Sequence, residues 1–217
     1  MMSLKIIDQG ELVCYKLNKT GERGGKVSDT KLSGKHILLL LLYSPGENTE
    51  VNEPIKGRTR IIKMMFLFEK ELHKDFIKDV NSKEIAYPVF FPWNYGPFSK
   101  EIYNDIEFFV NNEFIKSEIL NEEMSLAEIS EFENWKEDYS LENNDELFLE
   151  EQFSLTDRGR KFTEEKIYGF LTSNQKSILT NFKRKLNSAS LSAILRYVYL
   201  KYPEFTEKSE IRDKFFR

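Results

Sequence analysis

The residue types that most often carry out chemistry are scarce in this chain, which contains one cysteine and two histidines. His36 and His73 have no Cys, Asp or His partner at a metal-ligand spacing, whereas structural zinc needs paired ligands and catalytic zinc needs three. Cys14 lies in an apolar stretch, which favours a buried thiol over a reactive one. A single cysteine also excludes an internal disulfide. The sequence therefore predicts neither a metal site nor redox chemistry.

No arrangement typical of an enzyme is present either. Carboxylates are plentiful, but no pair can be assigned to an apolar pocket that would separate their pKa values. The chain contains no Gly-x-Ser-x-Gly elbow and no dinucleotide fingerprint. Gly25-Lys26 invites comparison with a phosphate-binding loop, but Thr20 stands where that loop needs Gly and Val27 where it needs Ser or Thr. We interpret this segment as a flexible connector and expect no enzyme activity and no cofactor.

Basic residues form two groups that could meet phosphates. The first group lies at the start of a predicted helix over 59–72, where the helix dipole does not favour cations, and the second is a triplet on a helix near the C-terminus. For each group we favour the alternative, a solvated surface. The candidate phosphate-contacting residues are Lys56, Arg58, Arg60, Lys63, Lys183, Arg184 and Lys185.

The net charge of −4 conceals an uneven distribution of charge. Residues 1–116 carry 17 Lys and Arg against 16 Asp and Glu, residues 117–151 carry 1 against 13, and residues 152–217 carry 14 against 7. Because like charges repel and resist compaction, the acidic block predicts a solvated insertion over 118–146 that contributes little to global stability.

A rigid aromatic corner organises the middle of the chain. In Tyr95-Gly96-Pro97-Phe98-Ser99, glycine permits a turn and proline keeps the preceding residue out of the α region. A helix is therefore expected to begin after Ser99, the predicted N-cap. The apolar residues that follow recur at helical spacing and predict one buried stripe: Ile102, Ile106, Phe109, Val110 and Phe114.

The remaining elements can be placed around this helix. Residues 4–8 and 11–17 read as a β-hairpin, residues 33–43 as a buried helix, and residues 114–117 and 147–155 as strands on either side of the acidic block. Within that block, a short helix over 124–135 that packs back on the body is possible. Residues 156–159 are expected to turn the chain before a helix over 162–171, and two further helices follow residue 174.

This order predicts a mainly α protein with small β content, in the α+β class. The core over 33–171 is expected to be winged helix-turn-helix-like, with the acidic insertion at the wing. An N-terminal hairpin and connector over 1–32 and a C-terminal helical extension over 172–217 complete the prediction. The longest apolar run, residues 37–43, is far shorter than the roughly 20 residues that span a bilayer. We therefore expect a cytoplasmic protein that does not bind membranes, while its oligomeric state is not indicated.

Three stretches resemble the SocA-like antitoxin family, also called the Panacea domain, and its YwgA-like relatives. They are GRTRIIKMMFLFEKEL at 57–72, FPWNYGPFSKEIYNDI at 91–106 and YVYLKYPEFTEKSEI at 197–211. The middle stretch is the most specific, and the family lysine falls on Lys63. FSLTDRG at 153–159 is similar to the wing-to-helix turn of winged-helix regulators. The chain departs from the family at Ile62, at Glu113, where a helix-ending glycine is usual, and in its long acidic block.

The resemblance implies a non-enzymatic binding module, because many members are similar to antitoxins that neutralise a toxin by direct contact. Winged-helix relatives instead bind DNA as regulators. Residues 100–113 carry one Lys against four Asp and Glu, so phosphate repulsion would oppose entry of this helix into a DNA groove. We therefore expect a protein partner, with DNA binding as the alternative. The candidate partner-binding residues are Trp93, Tyr95, Phe98 and Tyr103.

Overall fold

The computed structural model describes residues 5–8, 11–14, 32–48, 50–78, 85–137 and 149–206. The chain divides into two compact units, Met1–Thr30 and Lys31–Arg217. In the first unit, β1 (Lys5–Asp8) pairs antiparallel with β2 (Glu11–Cys14), which confirms the predicted hairpin. The predicted connector around Gly25-Lys26, the surroundings of the Cys14 side chain, and residues 207–211 of the family-like tail lie outside the described residues.

The second unit is mostly helical. A π-helical turn, Phe68–Leu72, joins two of its helices, and short 3₁₀ turns occupy Tyr168–Phe170 and Pro203–Phe205. Its described α-helices are α1 (Gly34–Tyr43), α2 (Arg58–Leu67), α3 (His73–Ile77), α4 (Lys100–Asn111), α5 (Leu126–Glu137), α6 (Asp157–Lys166), α7 (Ser173–Ser188) and α8 (Leu191–Lys201).

Two small antiparallel sheets accompany the helices. The larger contains β3 (Ile55–Lys56), β6 (Ile115–Glu123) and β7 (Leu149–Leu155) in the order β3-β7-β6. The other is a hairpin of β4 (Phe91–Trp93) and β5 (Gly96–Phe98). Mixed helices and small antiparallel sheets confirm the α+β class predicted from the sequence.

The aromatic corner and the helix after it form where the sequence predicts them. Gly96 has a φ of 89°, which explains the glycine at this turn, and α4 begins directly after Ser99. Ile102, Ile106 and Phe109 are buried on α4, and Phe114 is buried just beyond it, whereas Val110 is only partly buried. Ser99 holds the N-cap position, but its hydroxyl makes no capping hydrogen bond.

Helix α1 is buried along almost its whole length, as its leucine-rich composition predicts. Residues 37–43 are each 4% exposed or less. At its N-terminus, His36 Nδ1 accepts a hydrogen bond from the Ser33 backbone N–H at 3.0 Å. Helix α2, with the π turn after it, packs against α1 to form the centre of the core. Among the described residues, no helix is long and apolar enough to cross a membrane.

Two sequence expectations need correction. Helix α6 begins at Asp157 rather than 162, because the Thr156 side chain accepts a hydrogen bond from Gly159 N–H and caps the helix at the predicted turn. The acidic block is not peripheral throughout. Its helix α5 buries Glu131 and Trp135 against the rest of the unit, so this part of the block is not a solvated insertion. Residues 138–146 of the insertion lie outside the described residues.

Candidate functional site

A buried ion pair joins the acidic block to the first family-like stretch. The Lys63 ammonium on α2 pairs with the Glu131 carboxylate on α5, and both side chains are 0% exposed. Lys63 Nζ also donates to the Pro97 carbonyl oxygen at 2.9 Å, and Thr59 Oγ1 donates to Glu131 Oε2 at 2.7 Å. Each carboxylate oxygen of Glu131 therefore has a donor on the opposite side of the interface.

Burial perturbs both members of this pair. It lowers the pKa of Lys63 and raises the pKa of Glu131, while their mutual attraction opposes both changes. Removing two charges from water costs several kcal/mol per ion, and the hydrogen bonds from Lys63 to the Pro97 carbonyl and from Thr59 to Glu131 offset part of that cost. The chemistry of the site is thus carboxylate recognition by an ammonium and a hydroxyl.

A second buried cation lies one turn earlier on α2. The Arg58 guanidinium donates from Nη1 to Glu107 Oε1 at 2.6 Å and from Nε to Glu151 Oε2 at 2.8 Å. It lies over the Tyr103 ring at 5.5 Å and the Phe153 ring at 5.1 Å. Arg58 consequently connects the start of α2 to α4 and β7.

Aromatic side chains cover the ion pair from one side. Tyr103 stacks on Trp135 with ring centroids 5.5 Å apart, and Trp135 Nε1 donates to Asn104 Oδ1 at 2.9 Å. The Tyr103 ring also contacts Phe98 of the corner, at 5.6 Å. Burial raises the pKa of Tyr103 well above its usual value, and its hydroxyl has no hydrogen-bond partner among the described residues.

The contact between α5 and the body depends on a glycine and leaves a small gap. Gly57 has a φ of 78°, and a Cβ added to it would meet Glu128 Oε1 at 1.9 Å. A cavity of about 10 Å³ remains between Arg58, Tyr103, Glu128 and Phe132. That volume is close to the space one water molecule needs.

Three of the four candidate partner-binding residues are buried. Phe98 and Tyr103 are fully buried and Tyr95 is nearly so, because the corner and the start of α4 pack into the core. In this conformation these three side chains are not exposed to a partner, and their assignment as partner contacts stays a prediction. Trp93 is half-buried, within 6.5 Å of the Phe98 ring.

The candidate phosphate-contacting residues divide in the same way. Arg58, Lys63 and Lys183 are buried and engaged by protein acceptors, so phosphate contact by these three is wrong for this structure. Arg60 is half-buried and donates to the Leu186 and Ala189 carbonyl oxygens at the end of α7, at 2.6 and 2.7 Å. The exposed members are Lys56, Arg184 and Lys185.

Lys183 is a separate structural centre. Its Nζ donates to three backbone carbonyl oxygens, those of Leu42 and Ser44 at 2.8 Å and that of Glu53 at 2.6 Å. These acceptors lie at and beyond the C-terminal end of α1. The hydrogen bonds of Lys183 therefore connect α7 to the end of α1 and to the segment that follows α1.

Sequence reasoning missed the acidic half of the site. Trp135 belongs to the helix predicted over 124–135, but Glu131 lies in a block whose composition predicts a solvated surface. A usable signal was present nevertheless, because Ala127, Glu131 and Trp135 follow one another at i, i+4 and i+8 and so share one helix face. All three are buried.

Three stretches of the chain thus meet at this site. Residues 57–72 supply Lys63, residues 91–106 supply the Pro97 carbonyl, and the acidic insertion supplies Glu131. Among the described residues, no group of three or more His, Cys, Asp or Glu side chains could hold a metal ion. Comparison of the chain with protein-family models, curated proteins and solved structures finds no match.

Proposed function

We propose that this protein is a non-enzymatic protein-binding module of antitoxin or regulatory type on a winged-helix-like fold. The order α1, β3, α2, α4, β6, β7 and the sheet order β3-β7-β6 support the winged-helix description. In that description α4 is the helix that precedes the wing, and β6 and β7 are the wing strands. The resemblance to the SocA-like family supplies the antitoxin part of the proposal.

The charge of the exposed residues on α4 and β6 is the observation that favours a protein partner over DNA. The exposed charged residues there are mostly acidic, including Glu101 on α4 and Glu118, Glu122 and Glu123 on β6. Lys116, the exposed cation of β6, is paired with Glu118 at 2.6 Å. A DNA-binding winged helix would place these two elements against phosphates, which such a surface repels.

The same part of the chain exposes apolar side chains that a protein partner could cover. Phe108 on α4 is 37% exposed, Ile119 on β6 is 69% exposed and Leu126 at the start of α5 is 71% exposed. Burial of such residues at an interface is favourable at roughly 25 cal/mol per Å² of apolar surface. Acidic residues around exposed apolar ones suit a partner with basic and apolar chemistry.

The test is neutralisation of a neighbouring gene product. The reading frame beside this gene is expressed alone and together with the full chain, and growth and co-purification are measured. We expect growth arrest by the neighbour alone, relief by the wild-type chain, and weaker relief by Ile119→Ala/Leu126→Ala. Leu200→Ala is the matched control, because Leu200 is 56% exposed on a different helix. If no neighbouring or captured protein binds at physiological salt, the proposal is rejected.

DNA binding is the second candidate, and the exposed basic residues of the C-terminal third favour it. Lys161 and Lys166 on α6, Arg184 and Lys185 on α7 and Arg196 on α8 are all exposed. Contacts from these residues would be to phosphates, giving weak sequence preference and steep salt dependence. Titration of the upstream DNA at physiological salt tests this. Nanomolar, sequence-selective binding with no protein partner would promote this candidate above the first.

A further inference from the structure

The body of the second unit presents a carboxylate-binding arrangement to α5. Lys63 has an ammonium with three N–H donors, of which the Pro97 carbonyl accepts one. Thr59, one helical turn away on α2, points its hydroxyl at the same carboxylate. A buried ammonium needs acceptors for its N–H groups, and beside the single Pro97 carbonyl a carboxylate provides one here, while the hydroxyl of Thr59 favours an anion with two oxygens.

The helix that supplies this anion is held by an ion pair as well as by apolar contacts. Of the α5 residues buried against the body, Ala127 and Trp135 are apolar, whereas Glu128 and Glu131 are acids. The cost of desolvating a buried ion pair offsets much of its attraction, so such a contact adds little net stability. A helix that offers a carboxylate and an aromatic ring at the same spacing would meet the same groups.

The fit of α5 is also incomplete. Among the described residues, five buried side-chain polar atoms have no hydrogen-bond partner. Two of them lie where α5 meets the body: Tyr103 OH, whose ring stacks on Trp135, and Asn134 Oδ1 on α5 itself. The cavity beside Tyr103 lies at the same interface. Since buried polar atoms in native proteins are almost always satisfied, these two atoms leave the fit of α5 incomplete.

We infer that Thr59, Lys63 and Tyr103 form a binding site for an acidic helix of a partner protein, and that α5 occupies this site from within the same chain. The expected ligand carries a carboxylate and, four residues later, an aromatic side chain, as Glu131 and Trp135 do on α5. The carboxylate bridges Lys63 and Thr59, and the aromatic ring stacks on Tyr103. This inference rests on the proposed protein-binding function.

The inference predicts that α5 can be replaced from outside. The probe is a fluorescently labelled peptide with the sequence of residues 124–137, MSLAEISEFENWKE, titrated against the full chain and followed by anisotropy. Glu131→Gln weakens the internal helix by removing its charge at constant shape. Glu133→Gln is the matched control, because it removes one charge from an exposed position of the same helix. We expect the peptide to bind Glu131→Gln protein at least about tenfold more tightly than Glu133→Gln protein, about 1.4 kcal/mol.

Variants of the peptide test whether the site recognises the carboxylate at position 131. A peptide carrying Gln at position 131 should bind Glu131→Gln protein about tenfold more weakly than the parent peptide, whereas Gln at position 133 should have little effect. Equal binding of all three peptides, or no binding to the folded variant, overturns the inference. Neither result touches the neutralisation experiment, because a partner can still bind the exposed face of α4 and β6.

Native-state hydrogen exchange decides the question if Glu131→Gln does not fold. A displaceable α5 opens without global unfolding, so its amides in the wild-type chain should exchange at least about a hundredfold faster than those of α1. Exchange of α5 at the rate of α1 would mean that the helix leaves only when the unit unfolds. That outcome overturns the inference.

Discussion

Lys63 and Lys183 are both buried, yet each is held by a different kind of acceptor. Lys63 pairs with a carboxylate on a helix of the acidic block, whereas Lys183 donates to three backbone carbonyl oxygens. The first lysine therefore depends on the charge of its partner. The second depends on the position of the chain after α1.

The Lys63 and Glu131 pair should behave asymmetrically under mutation. Lys63→Met leaves a buried carboxylate without its counter-charge and should cost about 3 to 5 kcal/mol of unfolding free energy. The double variant Lys63→Met/Glu131→Leu removes both charges and should recover most of that loss. Urea unfolding of the single and double variants measures both effects.

A surface ion pair provides the control for this cycle. Lys35→Met breaks the contact with Asp105, in which the lysine side chain is 36% exposed, and should cost less than about 1 kcal/mol. A Lys63→Met protein no less stable than Lys35→Met would contradict the burial of the charge pair. A double variant as unstable as the single one would mean that shape, rather than charge, dominates at the site.

Lys183 should give the unit a pH dependence of known sign. Burial lowers the pKa of Lys183 to about 7, whereas an unfolded lysine titrates near 10.4. Between these values the unfolded chain binds more protons, so the stability contributed by this residue rises with pH, by at most about 1.4 kcal/mol per pH unit.

The measurement is chemical denaturation of wild type and Lys183→Met at pH 6, 7.5 and 9. The variant should be less stable throughout, because three carbonyl oxygens lose their donor. The difference between the two proteins should be constant below about pH 7 and widen above it. Parallel stability curves from pH 6 to 9 would show that Lys183 keeps its ordinary pKa.

We expect a stabilising substitution at Glu113. It follows α4 with a φ of 59°, a left-handed conformation that glycine adopts without steric cost. Glu113→Gly should raise the unfolding free energy by up to about 1 kcal/mol, because the strain of a side chain there is of that order. Glu113→Ala keeps the Cβ and should bring no such gain. Destabilisation by Glu113→Gly would mean that the Glu113 side chain makes a contact worth more than the strain.

At this scale the sequence indicates backbone conformation better than burial. The resemblance described above leads one to expect a helix-ending glycine at position 113, where this chain has Glu113. The structure gives that residue a positive φ, the conformation that glycine favours. The burial of Lys183 is not visible, because its acceptors at Leu42, Ser44 and Glu53 lie more than 100 residues away in the chain. From the sequence alone, a basic triplet is interpreted as a surface, because only the fold brings the backbone carbonyl acceptors to Lys183.

At the scale of elements, α4 tests how far apolar spacing determines a helix. Phe109→Ala should cost about 3 to 5 kcal/mol, because the ring is buried among apolar neighbours and its removal leaves a cavity. Phe108→Ala is the matched control, one residue away with a partly exposed ring. Denaturant midpoints compare the two variants. Equal midpoints would contradict the assignment of the buried face.

Helices α4 and α5 show what apolar spacing detects and what it does not. The spacing of Ile102, Ile106 and Phe109 predicts both the helix and its buried face, because apolar residues alone form that stripe. The helix of α5 is also predicted, over 124–135, but the burial of Glu128 and Glu131 is not, because a hydrophobic pattern does not detect buried acids. The acidic composition points toward solvent, whereas α2 supplies the donors that hold the Glu131 carboxylate in the core.

At the scale of the whole molecule, the division into Met1–Thr30 and Lys31–Arg217 predicts that the second unit folds alone. Every residue of the described core belongs to it. Deletion of residues 1–30 should therefore leave the unfolding free energy within about 0.5 kcal/mol of the full chain, measured by urea denaturation. A larger loss would assign the N-terminal hairpin to the cooperative unit.

The central position of β7 has a consequence for biosynthesis. This strand pairs with both β3 and β6, yet it is the last of the three to leave the ribosome. About twenty-five residues separate the end of β6 from the start of β7, which corresponds to roughly 1 to 5 s of translation. During that interval the edge of β6 has no partner and could pair with another nascent chain. The dense negative charge of residues 117–151 repels such encounters, so the acidic block protects the strand until its own partner emerges.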